Sequence, residues 1–157
     1  MHICAFSTST ATTPQAVWQL WTQPRHWPSW DKTLKQAELS GPFKQGVSGI
    51  LTFQDGSTAP FTVVMCQMLQ SYVLSVPLGL GVDLLIKREL WQEGEKVHFR
   101  QEVSLMGPAM AKLLHGVRKK ALQLETFKAM EGLLERLRGE MSALKDNPQG
   151  DVQRSAP

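Results

Sequence analysis

Residues 13–32 read TPQAVWQLWTQPRHWPSWDK, and how this stretch divides into helices decides how the rest of the chain is read. Thr12 or Thr13 is placed to act as an N-cap, and Pro14 suits a first helical turn, where a missing N–H costs nothing. Val17, Leu20 and Trp21 follow at helical spacing, with Trp18 beside them on the same stripe. Pro24 ends this helix, because the residue before a proline is pushed out of the α region. A second short helix is predicted to start near Pro28. The closing segment RHWPSWDK, residues 25–32, crowds two tryptophans, a histidine and an aspartate together. It is either a site of chemistry or a structural plug.

Upstream, His2–Thr10 has β-friendly residues and no helical period, which predicts a first strand. Downstream, from Leu34 to Met106, Gly41-Pro42, Gly46, Gly49, Asp55-Gly56, Pro60, Pro77, Gly79, Gly81 and Glu93-Gly94 punctuate runs of roughly six to ten residues. Those runs are KQAELS, VSGILTFQ, FTVVMCQM, YVLSVP, VDLLIKRELW and KVHFRQEVSL. In the last, Val97, Phe99, Gln101, Val103 and Leu105 share one face, opposite His98, Arg100, Glu102 and Ser104. In the one before, Val82, Leu84, Ile86, Arg88 and Leu90 oppose Asp83, Leu85, Lys87, Glu89 and Trp91. Short links between successive runs predict antiparallel pairing.

Beyond Gly107-Pro108 the period becomes helical. Met110, Leu114, Val117, Ala121, Leu124, Met130, Leu134, Leu137, Met141 and Leu144 recur at three- and four-residue steps, with one longer gap across Phe127. An unbroken helix over Ala109–Leu144 would be about 54 Å long, more than the width of a small domain, so a break near Gly116 is expected. The tail DNPQGDVQRSAP has almost nothing to bury. Residues 1–145 are therefore assigned to one domain and 146–157 to a disordered tail. A curved antiparallel sheet must cover its apolar face, and the long amphipathic helix is the only large element that can do so. The fold class is α+β.

At 157 residues the chain is long enough for one real core, and 42% hydrophobic with 20% charged residues excludes a disordered chain. No run approaches the roughly 18 uncharged apolar residues of a spanning helix. MHICAFSTSTAT lacks a basic region followed by an apolar one, so no secretory signal is expected. Cys4 and Cys66 form no CxxC and no metal-ligand spacing, and their expected strands lie too far apart for an easy disulfide. A reduced, cytoplasmic protein is the expectation. The net charge of +3 raises nucleic acid as a partner. However, Arg118-Lys119-Lys120 is followed by Glu125, Glu131 and Glu135, a solvated mixed-charge helix face, and no nucleic-acid partner is expected. The GLG at residues 79–81 precedes a strand and not a helix, which speaks against a phosphate-binding loop. No Ser-His-Asp, His-rich or paired-carboxylate constellation is visible, so neither metal nor cofactor nor catalytic set is assigned.

Three segments together resemble a known family. TPQAVWQLWTQPRHWPSWDK, LSGPFKQGVSG (39–49) and RELWQEGEKVHFRQEVSLMGP (88–108), the last leading into LLHGV, resemble the START-like (SRPBCC) superfamily and its polyketide cyclase/dehydrase branch. The resemblance runs over about residues 2–144, in the right order. It implies the helix-grip fold, a seven-stranded antiparallel sheet wrapped around a long C-terminal helix, with two short helices after the first strand. It also implies an internal cavity between sheet and helix. Its motifs mark a fold shared by cyclases, aromatases, lipid carriers and receptors, and so leave the activity open.

Trp27 and Trp30 read either as an aromatic clamp at the cavity mouth or as apolar anchors of the short helices. The anchor is preferred, because these tryptophans accompany the fold whatever its ligand, with Trp30 also a candidate at the cavity rim. His26 and Asp31 lack the orienting geometry that proton transfer needs, and Asp31 is expected to cap a helix or turn. Arg88 and Gln101 stand out. Both lie on the mostly apolar face of neighbouring strands, and an inward guanidinium needs a carboxylate, several carbonyls or an anionic ligand. An internal network or a rim position is the plainer reading, and a ligand contact the other. Family members often place polar residues at such inward positions to orient a ligand.

The leading expectation is a protein that binds a hydrophobic aromatic, polyketide-like or lipid-like molecule in the cavity. Phe53, Tyr72, Leu84, Phe99, Leu114 and Val117 would line it, and Arg88 and Gln101 would supply polar handles. Tyr72, if inward, would donate its hydroxyl to a ligand oxygen; the plainer reading is a half-buried strand residue. The alternatives are a cyclase, aromatase or dehydratase in the same cavity, and a protein-interaction module that uses none. The oligomeric state is left open.

Overall fold

The computed structural model describes residues 1–146, and within that range the side chains of Leu114 and of residues 140–146 fall outside the described residues. The expected tail lies outside them from residue 147 onward; Asp146 itself ends a helix. The chain opens with β1 (His2–Ala11), α1 (Pro14–Thr22), a 3-10 turn (Pro24–His26) and α2 (Trp27–Trp30). Six strands follow: β2 (Leu34–Leu39), β3 (Ser48–Phe53), β4 (Thr58–Gln67), β5 (Ser71–Gly79), β6 (Val82–Glu93) and β7 (Lys96–Met106). The C-terminal part is α3 (Ala109–His115), a second 3-10 turn (Gly116–Arg118) and α4 (Lys119–Asp146). The seven strands form one antiparallel sheet in the order β1-β7-β6-β5-β4-β3-β2, with α4 laid across it. This is the α+β arrangement the sequence predicts.

Thr13 is the N-cap of α1, its hydroxyl accepting from the Ala16 N–H at 3.2 Å, and Pro14 takes the first turn. Val17, Leu20 and Trp21 are the buried stripe. Substituting Thr13→Ala should lower stability by about 1 kcal/mol, read as a shift in the urea midpoint at constant slope.

The alternation in the last two strands is as the sequence predicts. In β7, Val97, Phe99, Gln101, Val103 and Leu105 are all buried and the residues between them are not. In the β6–β7 ladder Arg88 sits directly opposite Gln101, so the two polar residues of the inner face are cross-strand partners.

The long helix does break at Gly116–Arg118. The expected stripe through Leu124 is corrected: Leu124 is 53% exposed. Met130 and Leu137 of that stripe are buried as expected, and Thr126, Ala129 and Leu133 join them on the inward face of α4. The turn at Gly116–Arg118, with three residues per repeat, separates α3 from the first turns of α4, where Ala121 and Leu124 are exposed. Where α4 crosses α2, Gly132 faces the backbone of Trp30. A Cβ at Gly132 would fall on the Trp30 carbonyl oxygen and lie 3.0 Å from its carbon. The short helix within RHWPSWDK is thus clasped backbone to backbone.

Candidate functional site

Sheet and α4 do not close completely on each other. A cavity of about 650 Å³ remains, walled by Leu74 and Val76 of β5, Leu84 and Ile86 of β6, Val103 of β7, and Leu122, Thr126 and Ala129 of α4. The helix side stays open because Thr126 and Ala129 are small where the strands present larger residues. Exposed Asp55, Ser57, Arg118 and Glu125 also line it and mark the mouth.

Arg88 and Gln101 line the same cavity, and both are 4% exposed. Arg88 Nε donates to Gln101 Oε1 at 2.8 Å and Nη1 donates to the Tyr72 hydroxyl at 2.6 Å. Tyr72 in turn donates to the Trp21 carbonyl at 3.1 Å. Among the described residues no carboxylate lies within ion-pair distance of Arg88. Its compensation comes from elsewhere. The guanidinium carbon lies 4.9 Å from the Trp30 ring centre and 5.7 Å from those of Trp27 and Tyr72, within cation–π range. Through Tyr72 it also faces the C-terminal end of α1, the negative end of the helix dipole.

That helix end explains RHWPSWDK. The last carbonyls of a helix have no intrahelical donors. Here Trp27 Nε1 donates to the Trp21 carbonyl at 3.0 Å and Trp30 Nε1 to the Leu20 carbonyl at 3.2 Å. The two indoles cap α1 while their faces support Arg88. Both tryptophans are 2% exposed; Trp27 lines the cavity and Trp30 does not. Asp31 closes α2 and accepts from the Thr33 N–H and hydroxyl, at 3.1 and 2.7 Å, as a turn residue. His26 meets Gln23 at 3.0 Å and forms no ion pair with Asp31.

Of the residues expected to line the cavity, Arg88, Gln101, Phe53 and Leu84 do so. Three stand one layer behind it. Tyr72 and Phe99 are fully buried and pack edge-on against Trp21, at 5.9 and 6.1 Å, and Trp30 lies beneath Arg88. The expectation that the Tyr72 hydroxyl donates to a ligand is corrected, because its one proton is committed to the Trp21 carbonyl. Burial pushes the phenol above its ordinary pKa, with Arg88 pulling the other way. Val117 is also corrected: it is 87% exposed, since the 3-10 turn swings it outward. The side chain of Leu114 lies outside the described residues. Tyr72→Phe should cost about 1–3 kcal/mol in chemical denaturation, because it strips Arg88 Nη1 of its buried acceptor.

Two features were missed from the sequence. Leu74, Val76 and Ile86 follow from the same alternation that placed Leu84 and Arg88, so their signal was present. Glu125 and Thr126 fall in the gap that the apolar stripe leaves between Leu124 and Met130, where polar residues give no inward signal. Burial and the charge of nearby Asp31 hold the Glu125 carboxyl above the usual range, with Arg118 opposing them.

The leftover donors define what the cavity offers. Arginine has only donors, so Gln101 must turn its oxygen toward Nε and keep its amide N–H groups free. Among the described residues neither Arg88 Nη2 nor Gln101 Nε2 has an acceptor, and both residues line the cavity. The polar end of the cavity is a set of N–H donors carrying a positive charge.

No protein-family model and no curated protein matches the sequence. Solved structures do. DynU16, from the dynemicin biosynthetic locus, superposes with a TM-score of 0.67 at 20% identity, over 85% of this chain and 46% of its own. A Rhodobacter sphaeroides protein gives 0.63 at 19% identity, over 86% of this chain and 91% of its own. StfQ, a di-domain ARO/CYC of the steffimycin biosynthetic pathway, gives 0.67 at 10% identity, over 88% of this chain and 51% of its own. The chain spans about half the length of DynU16 and StfQ. At these identities the likeness is one of fold.

Proposed function

From a chain with the helix-grip fold of the START-like, polyketide cyclase-like proteins, we propose that the cavity binds a hydrophobic small molecule bearing an acceptor oxygen at one end. The ligand class is aromatic, polyketide-like or lipid-like. The observation that carries this reading is Arg88, a guanidinium lining an apolar cavity with no carboxylate partner among the described residues. A volume of about 650 Å³ lies within the range of small-molecule sites. An anionic or carbonyl oxygen takes the free donors of Arg88 and Gln101, while Leu74, Leu84 and Ile86 cover the apolar body. A carboxylate or enolate gains most, because charge-assisted bonds are about twice as strong as neutral ones. An open cavity also counts against an interaction module that needs none.

Native mass spectrometry of freshly purified protein tests this. A retained molecule with an acidic or carbonyl group is the expected result. A consistently empty protein that also fails to bind 8-anilinonaphthalene-1-sulfonate, an aromatic anion, would sink it.

A second reading is favoured by Glu125. Its raised carboxyl lines the cavity that also holds Arg88, which suits a cyclase, aromatase or dehydratase in which Arg88 polarises a carbonyl and Glu125 moves a proton. Loss of turnover in Glu125→Gln, with ligand affinity kept, separates enzyme from carrier.

A further inference from the structure

We infer that the protein docks on anionic lipid bilayers through a face built from α3, the 3-10 turn after it and the tip of the β5–β6 turn. Helix α3 is apolar on the wrong side. Small Ala111 is 8% exposed, while Met110, Leu113 and Val117 are 78%, 69% and 87% exposed. Positions 110 and 113 fall on one face of α3, and Val117 in the turn that follows is exposed as well.

The β5–β6 turn extends it. Leu80 is 67% exposed and holds a φ of 56°, a left-handed conformation that a leucine adopts only under strain. Asparagine or glycine would make that turn more easily and expose no apolar surface. The turn tip sits against the start of α3, since a Cβ at Gly81 would lie 3.7 Å from Pro108 Cδ. Met106, 61% exposed, stands just before the helix. Single exposed apolar residues are ordinary, but a group of this kind gathered at one end of a molecule marks a surface that meets something.

Charge selects the occupant. From Met106 to Leu124 the chain carries no acidic residue, and it carries Lys112, Arg118, Lys119 and Lys120. Against these cations the face carries one carboxylate, Asp83, the cross-strand partner of Met106. Large apolar side chains with cations in this excess fit the interface of an anionic bilayer: the apolar groups enter the headgroup boundary and the cationic groups meet phosphates. Arg118 and Leu122 also line the cavity, so the docking face adjoins its mouth.

The test uses the full chain, free of ligand, with vesicles of phosphatidylcholine alone or mixed with phosphatidylglycerol, read by co-sedimentation. The protein should bind the mixed vesicles, bind the neutral ones far less, and be released by high salt. Met110→Ser with Leu113→Ser should weaken binding about tenfold or more. Lys119→Glu with Lys120→Glu should weaken it about thirtyfold. Both pairs are solvent-exposed, so their thermal midpoints should match the parent. Absence of binding to mixed vesicles overturns the inference, as does equal binding by either variant. A dimer that the Met110/Leu113 variant abolishes would assign the face to a second copy and overturn it as well. Because no ligand takes part, failure here leaves the cavity assay standing, and the reverse.

Discussion

Replacing Arg88 by methionine is expected to weaken binding of 8-anilinonaphthalene-1-sulfonate by about 30- to 100-fold while leaving the empty fold about as stable as before. The two effects have separate causes. A charge-assisted hydrogen bond to an anion contributes about 2–3 kcal/mol, and each 1.4 kcal/mol is roughly tenfold in affinity. In the empty protein, Arg88 is a buried cation with no carboxylate partner among the described residues, compensated by Gln101, Tyr72 and three aromatic faces. Exchanging such a charge for an apolar side chain of similar length removes its desolvation penalty and leaves Gln101 Oε1 without its donor, two opposed effects of similar size that bring the balance close to neutral. The neutral probe N-phenyl-1-naphthylamine is the control and should bind parent and variant alike. Equal loss of both probes would mean that the cavity had collapsed, and no loss of either would show that Arg88 does not meet the ligand.

The second large effect is on stability. Gly132→Ala is expected to destabilise by about 3 kcal/mol, the upper range for overpacking. For a domain of this size that is a fall in Tm of about 10 °C. On an exposed helix the same change stabilises by about 1 kcal/mol, because alanine is the better helix former. Here the added methyl meets the backbone of Trp30, which cannot rotate away as a side chain could. Gly139 lies in the same helix, and a methyl placed there would meet nothing within 4 Å, so Gly139→Ala should raise Tm. A Gly132→Ala protein as stable as the parent would show that α2 can slide on α4 and that no clasp holds the two helices.

Much of the fold is legible in particular residues. Thr13-Pro14 starts α1 and Pro24 stops it, and the alternation in β6 and β7 sets their inner faces. Gly116 marks the break in the C-terminal helix. Arg88 and Gln101 could be found for the same reason: a strand has a period of two, so a polar residue in an apolar phase must point inward. The helix was less legible. Past the 3-10 turn Leu124 turns out and Thr126 turns in, and the expected stripe resumes only at Met130.

The sequence by itself determined the element order, the sheet's inner face and the pair of polar residues upon it, because local sterics and periodicity act over a few residues. It did not determine what RHWPSWDK does, or whether Arg88 is paired. Those depend on contacts across long sequence separations. Trp27 and Trp30 bring their indole N–H groups to the open end of α1, and Tyr72 brings its hydroxyl to the same place from β5. The crowded stretch that first looks like chemistry is a helix cap and an aromatic floor. Only the folded chain leaves the charge above that floor with donors to spare, because it alone decides which acceptors come within reach.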